Sequence, residues 1–350
     1  MRWQIAALLS IALISPWSEA DGKDANTAWQ RILRLDQGPQ GQPQSIEGAR
    51  LAARNHFLAQ SNALRNFIST YPQDARVPQA QIRLAAVLAT EGKMDGDKLR
   101  IREAGKILQD LTQTKGLPEK LQSDAAFQLA SLRMQTAPGG PEQGYKHVIA
   151  AATDFIRLFP KDRRGPRLLT EAATVCDAHP ETKRKLLLEA RKRTSEKALH
   201  QRINDDLRRL DQLGKPVDLA LTTIDGGSLN LLELRGKPLI LIFWSTEAPQ
   251  SLLWLRDFRR QWQTDRNRER FNVAMVNLDT DRNQARERAA MLQADWPIGW
   301  EAGGWEAPSA RQLGINALPT VWLLDSDGRL LSLNVKSNWS AAIQQMSAQR

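Results

Sequence analysis

Hydrophobic periodicity changes type once along this chain, at Gly214-Lys215-Pro216. Residues 27–213 space their apolar positions as helices do. The interruptions are turn-formers: Tyr71-Pro72, Glu91-Gly92, Gly116-Leu117-Pro118, Pro138-Gly139-Gly140-Pro141, Phe159-Pro160 and His179-Pro180. Proline cannot continue a helix and glycine weakens one, so helices of about 12–20 residues fit between these points. From Val217 onward the pattern alternates or runs continuously apolar, the two signatures of strands. A helical stripe and a strand face do not form one regular layer, so the switch demands two architectures. The expected fold class is an all-α domain over 27–213 followed by an α/β domain over 214–350. A length of 350 residues accommodates both.

The helical half contains an echo at a separation of 88 residues. Phe67-Ile68, Pro72, Asp74, Arg76, Pro78, Ala85 and Val87 are matched by Phe155-Ile156, Pro160, Asp162, Arg164, Pro166, Ala173 and Val175. Each copy reads as a helix, an aromatic-Pro turn and a second helix in which Ala allows close approach. The arrangement resembles tetratricopeptide-type helical repeats of exported bacterial scaffolding proteins. A plain helical bundle accounts for the same periodicity.

Met1 to Ala20 reads as a secretory signal: Arg2, a short apolar stretch from Trp3 to Ser15, the breaker Pro16, and the small-x-small site Ser18-Glu19-Ala20. An uncleaved interfacial anchor is the alternative. No later segment reaches the roughly 18 apolar residues of a membrane span. The expectation is a periplasmic or secreted chain, soluble after signal cleavage, in an oxidising compartment.

One cysteine, Cys176, cannot make an intrachain disulfide, a cysteine-built zinc site or a dithiol pair. It falls opposite Leu88 of the first copy, a packing position, and is expected as a small buried hydrophobe. His56, His147, His179 and His200 form no i, i+4 pair, so neither a metal site nor a cofactor is expected.

The formal charge of +10 belongs to the helical half. Residues from Gly214 onward hold 16 Lys+Arg against 15 Asp+Glu, whereas 21–213 hold 32 against 23. Lys183-Arg184-Lys185 and Arg191-Lys192-Arg193 are the densest stretch, interleaved with Glu189 and Glu196. This reads as a solvated helix face, with an anionic polymer or membrane surface as the alternative partner. Export argues against nucleic acid.

In the α/β half, strands are expected at Val217–Ile224, Leu239–Trp244, Phe271–Leu278, Thr320–Leu324 and Arg329–Val335. Helices are expected near Pro249–Trp262, Asp281–Ala294 and Ser340–Ser347. Three motifs then carry a resemblance over about 135 residues. Leu234-Arg235-Gly236-Lys237-Pro238 leads into the apolar strand. Phe243-Trp244-Ser245-Thr246-Glu247-Ala248-Pro249-Gln250-Ser251 parallels a Phe-Trp-Ala-Thr-Trp-Cys-Pro-Pro-Cys pattern. Gly314-Ile315-Asn316-Ala317-Leu318-Pro319-Thr320 precedes a strand and Asp325-Ser326-Asp327-Gly328. Together they resemble the thioredoxin fold of TlpA-like periplasmic redoxins.

That resemblance implies a cis Leu318–Pro319 bond and thiol-disulfide chemistry at the head of the first helix. The sequence departs from it there. Ala248 and Ser251 stand where the nucleophilic and resolving cysteines belong, and disulfide exchange needs both thiols. Ile242 stands where relatives often carry a buried Asp or Asn. No catalytic residue is therefore assigned in the degenerate loop Glu247, Ala248, Pro249, Gln250 and Ser251. What remains is binding of a protein or peptide: backbone pairing at Leu318, Pro319 and Thr320, and a recognition loop bearing Trp296, Trp300 and Trp305 among flexible glycines. The alternative for these tryptophans is packing over the sheet. An oxidoreductase using Cys176 or a partner's thiol is the competing reading.

Overall fold

The computed structural model describes residues 19–39, 44–293 and 295–348. The expected signal segment up to residue 18 lies outside them. Packing divides the chain into two compact units, 1–133 and 134–350.

The first unit is helical: α1 (Glu19–Leu35), α2 (Ile46–Thr70), α3 (Val77–Asp95), α4 (Lys98–Gln113) and α5 (Glu119–Gln135), the last running just past the division. Apolar stripes from successive helices meet in one core, including Trp29, Ile32, Leu64, Phe67, Leu84, Leu88 and Leu108. Ala80, Ala85, Ala104 and Ala125 are fully buried within it and let the helix axes approach closely. α2 exceeds the expected length because residues 49–70 hold neither Gly nor Pro.

The second unit begins with α6 (Gly140–Gln143), α7 (Tyr145–Leu158), α8 (Gly165–Thr174), α9 (Pro180–Arg193) and α10 (Lys197–Leu210). It continues as β1 (Ala220–Thr223), β2 (Ser228–Asn230), β3 (Leu239–Trp244), α11 (Pro249–Trp262), β4 (Asn272–Asn277), α12 (Arg282–Leu292), β5 (Ile298–Trp300), α13 (Pro308–Leu313), β6 (Thr320–Leu324), β7 (Leu330–Ser332) and α14 (Trp339–Ala348). The sheet order is β2-β1-β5-β4-β3-β6-β7. β3 lies parallel to β4 and antiparallel to β6, and β7 extends β6 antiparallel. This β-α-β unit followed by an antiparallel pair and a helix is the expected thioredoxin arrangement. β3 is buried at all six positions, as its unbroken apolar run requires of a strand covered on both faces.

The packing division falls well before Gly214, and the reason is visible. The segment after α10 pairs with β7: Gly214 N–H donates to Leu330 O at 2.8 Å, and Leu330 N–H donates to Lys215 O at 3.0 Å. α10 also lies against the loop before β6. Gly314 has φ of 70°, and a Cβ there would overlap the Asp205 carbonyl. The change in periodicity at Gly214 marks a change of element type, while α7–α10 pack as part of the sheet-bearing unit.

Each member of the sequence echo builds the same turn in its own unit. Tyr71 N–H donates to Phe67 O, and Phe159 N–H to Phe155 O. Asp74 then accepts from the backbone N–H and Nε of Arg76, both at 2.8 Å, and from Nη2 at 2.6 Å. Asp162 accepts from Arg164 at 2.9, 2.9 and 2.6 Å in the same way. The clamped guanidinium lies 5.5 Å from the Phe67 ring in one copy and 5.9 Å from the Phe155 ring in the other. The recurring Asp-x-Arg thus closes the turn and caps the aromatic plug.

The Arg76 side chain holds the Asp74 carboxyl below its ordinary value of 3.8. A depressed folded-state pKa stabilises above the unfolded value and loses its contribution as pH falls through the folded one. Asp74→Asn is expected to cost about 1–3 kcal/mol at pH 7, the weight of a charge-assisted hydrogen bond. In urea melts the gap from wild type should narrow as pH drops below 3.8. A gap independent of pH would remove the ionic part of this account.

Candidate functional site

The loop after β3 is set by a polar network at the end of an apolar strand. Asp279, fully buried just past β4, accepts from Ser245 Oγ at 2.5 Å and from Thr246 N–H at 2.8 Å. Its second oxygen accepts from Asn277 Nδ2 at 2.9 Å, and its own N–H donates to Asn277 Oδ1 at 3.0 Å. Ser245 Oγ in turn accepts from Glu247 N–H at 3.0 Å. Three hydrogen bonds thus satisfy a buried carboxylate, and together with the Glu247 N–H bond to Ser245 they fix the exit from β3. Sequence reasoning missed Asp279. The available signal was Asn277-Leu278-Asp279, two polar residues ending a buried strand at the same end of the sheet as the loop.

α11 starts directly after this network. Ala248 is its N-cap in an extended conformation with no side-chain cap, and Pro249 occupies the first turn, where its missing N–H costs nothing. Glu247, Pro249 and Gln250 are exposed and Ala248 is half-buried. Ser251 is fully buried; its N–H donates to Ala248 O at 2.7 Å. Its hydroxyl has no partner among the described residues. Ile242 is also fully buried and joins the sheet core, so no carboxylate lies at that strand position.

The segment before β6 sits at the same end of the sheet, since Phe243 pairs with Thr320. The Leu318–Pro319 bond is cis. Pro319 and Thr320 are buried, and Thr320 Oγ1 donates to Ala317 O at 2.7 Å. Leu318 is half-buried, and neither its N–H nor its C=O has a hydrogen-bond partner among the described residues. The geometry brings the Glu247–Ser251 loop and the Leu318–Thr320 loop to the ends of two adjacent strands.

The tryptophan segment differs from the expected recognition loop. Ile298–Trp300 is strand β5, paired parallel to β4 and antiparallel to β1. Gly299 fits there because a Cβ would press against Leu221 and Leu229 at about 3 Å. Trp296 and Trp300 are half-buried against the sheet core. Trp300 Nε1 donates to Asp279 O at 2.9 Å, and the Arg282 guanidinium lies 5.5 Å from its ring. Trp305 alone of the three is exposed, at 45%. Two of the three indoles are therefore structural, the packing alternative raised above. Trp300 braces the Asp279 backbone that holds the loop.

Cys176 is fully buried, with Sγ donating to Ala172 O at 3.3 Å. Burial pushes its thiol up to about 11, against an opposing pull from Lys183. A thiol this protonated and this enclosed is a poor nucleophile. The basic stretch on α9 also differs from a wholly solvated face. Lys183 is 1% exposed and its Nζ lies 2.5 Å from Asp177 and 3.8 Å from Asp206, because it turns inward between α8 and α10. Arg184 pairs with Asp211 and Arg193 with Glu189, each at 2.7 Å. Lys185, Arg191 and Lys192 remain exposed. Among the described residues no cluster of His, Cys, Asp and Glu suits a metal ion, and no helix is long and apolar enough to cross a membrane.

No family model matches the chain, and no curated protein does. Solved structures similar to it cover the C-terminal part. One is the C-terminal domain of a protein described as a thiol-disulfide oxidoreductase from Bacteroides thetaiotaomicron: 22% identity, 39% of this chain and 97% of that one, TM-score 0.35. A thiol-disulfide oxidoreductase from Bacteroides fragilis has 20% identity over 37% of this chain and 97% of its own, TM-score 0.32. A secreted Mycobacterium tuberculosis disulfide oxidoreductase homologous to DsbE has 15% identity over 37% of this chain and 96% of its own, TM-score 0.32. The strand order itself carries the thioredoxin-like arrangement.

Two outcomes follow from the loop and the thiol. Ser251→Ala removes an unpaired buried hydroxyl and is expected to stabilise the protein by about 1 kcal/mol in urea melts; a loss of stability would mean that the hydroxyl has a partner. Cys176 is expected to resist iodoacetamide in the folded protein at pH 8 and to react fully in denaturant. Rapid labelling of the native chain would contradict its burial.

Proposed function

We propose that this chain is an exported, redox-inactive thioredoxin-like protein that binds an extended segment of a partner protein. The observation that carries the proposal is the pair Ala248 and Ser251 at the head of α11, beside a Leu318 backbone with both hydrogen-bonding groups free. Disulfide exchange needs a thiolate to attack and a second thiol to resolve. Alanine offers no nucleophile, and the Ser251 hydroxyl is enclosed. An extended peptide can instead satisfy the Leu318 N–H and C=O as an added strand would. The buried Cys176, with its thiol pushed up to about 11, argues against the oxidoreductase alternative. The paired charges on α9 likewise weaken the anionic-polymer alternative.

The test has two arms. The wild-type protein with dithiothreitol is expected to reduce insulin no faster than dithiothreitol alone. The Ala248→Cys, Ser251→Cys double variant should form an intramolecular disulfide and accelerate the reaction. Carboxamidomethylated insulin B chain, an extended peptide without free thiols, should shift the Leu318 amide resonance of the wild type. Wild-type turnover would overturn the redox-inactive part, and an unmoved Leu318 amide would overturn the binding part.

A further inference from the structure

The exposed apolar side chains of the first unit gather toward one end of it. Among its described residues the large hydrophobics left in water are Ile46, Leu51, Leu58, Met94 and Leu99, with Ile46 83% and Leu99 69% exposed. Short turns fold α2, α3 and α4 back on one another, so the start of α2, the end of α3 and the start of α4 share that end. Asp95 ties the three together: it pairs with Arg54 of α2 at 2.6 Å and with Arg100 of α4 at 3.3 Å. Leu51 and Met94 line one groove there, of about 420 Å³, together with Glu47, Arg50, Arg54 and Asp95. The opposite end of α2 and α3 differs, because its aromatic residue Phe67 is buried and Asp74 clamps Arg76 over it.

Charge at this end is one-sided. Residues 46–54 and 93–102 hold six Lys and Arg against three Asp and Glu. Two of the acids are engaged. Asp95 takes the two arginines already named. Asp97 caps α4, accepting from the N–H groups of Leu99 at 2.8 Å and Arg100 at 3.3 Å, and lies 3.5 Å from Arg100 Nε. The side chains of Arg50, Lys98 and Arg102 are exposed and make no hydrogen bond or ion pair among the described residues. Glu47 is the one acid in the same state, and it sits in the first turn of α2, where the helix dipole favours it. Exposed apolar side chains gathered in one place mark an interaction surface, and the unpaired cations around them set the charge of what it meets.

We propose that this end of the first unit docks on an anionic lipid bilayer, with Ile46, Leu51, Met94 and Leu99 entering the headgroup boundary and Arg50, Lys98 and Arg102 meeting lipid phosphates. The apolar side chains supply buried area and the basic ones supply attraction to anionic lipid. Contact of this kind lies on the membrane and needs no spanning helix. A second copy of the chain is a poorer occupant, because a two-fold contact would bring the same excess of cations face to face. A single partner helix is poorer too: the apolar residues stand at the ends of three helices, and a fluid surface adapts to such an outline where one helix stripe does not. The proposal is independent of the peptide-binding reading, which concerns the second unit, and α9 takes no part in it.

The test uses the full chain and vesicles of phosphatidylcholine, alone or mixed with phosphatidylglycerol. A polarity-sensitive fluorophore is attached to Ala49→Cys, an exposed position among these residues, or to Gln73→Cys, exposed in the turn at the opposite end. Cys176 is buried and stays unlabelled. Vesicles containing phosphatidylglycerol are expected to shift the Ala49 probe to the blue and to leave the Gln73 probe unmoved. Phosphatidylcholine alone should bind about ten-fold more weakly or worse, since each basic residue at an anionic surface is worth about a factor of five. Two sets of surface changes are then made, with thermal melts to check that each variant stays folded. The Arg50→Gln, Lys98→Gln, Arg102→Gln variant and the Leu51→Gln, Leu99→Gln variant should each weaken binding about ten-fold or more. An unmoved Ala49 probe, equal shifts of both probes, equal binding to the two kinds of vesicle, or binding that survives either variant would overturn the proposal. A shift with poly-L-glutamate but not with vesicles would overturn it in favour of an acidic protein partner.

Discussion

The register of β3 between β4 and β6 is the constraint on which the rest of the second unit depends. Leu239 to Trp244 is apolar at every position, so both faces must be covered, and the strand can sit only in the sheet interior. Pairing Trp244 with Asn277 and Phe243 with Thr320 then fixes what stands at the strand ends. On one side Asp279 reaches back to Ser245 and Thr246, and on the other the Leu318–Pro319 segment enters β6. A register slip of one residue would turn every side chain of β3 over and separate these groups.

This end of the sheet also departs from the rule that buried polar atoms find partners. Nine buried side-chain atoms lack a partner among the described residues, and three of them, on Trp244, Thr246 and Ser251, lie within eight consecutive residues. Beside them Asp279 accepts three hydrogen bonds, and in the helical portion of the unit Lys183 lies between two carboxylates. A run of unsatisfied groups is uneconomical in a purely structural loop.

Much of this was legible in the sequence because it rests on periodicity and local stereochemistry. Strand Thr320–Leu324 and helix Pro249–Trp262 fall where the apolar run and the N1 proline put them. The paired turns at Asp74 and Asp162 follow from a repeated local motif, in which the acid and the arginine are two residues apart. What was not legible depends on distant parts of the chain. β5 is a three-residue strand in a segment rich in Gly and Trp, and it is a strand only because β1 and β4 flank it. Asp279 and Ser245 are 34 residues apart, so neither predicts the other. Lys183 reads as part of a solvated run, and only the placement of Asp177 and Asp206 turns it inward.

The same distant contacts explain why the helical and sheet portions of the second unit act as one body. The chain leaving α10 pairs with β7, and α10 itself lies against the glycine that precedes the cis-proline segment. The loop offering Leu318 is therefore supported from outside the thioredoxin-like core, by an element that brings its own charges. Arg202, Asp206 and Arg209 recur along one side of α10, at spacings of three and four that place them on a common face. The acid on that face pairs with Arg209 at 2.7 Å, and Lys183 from α9 lies 3.8 Å from it while pairing with Asp177 at 2.5 Å. Which charges stay unpaired there is thus decided by contacts between helices, and net composition gives little guide to it. The loop before the cis proline is thus positioned by a helix outside the thioredoxin-like core as well as by the pairing of β6 within it.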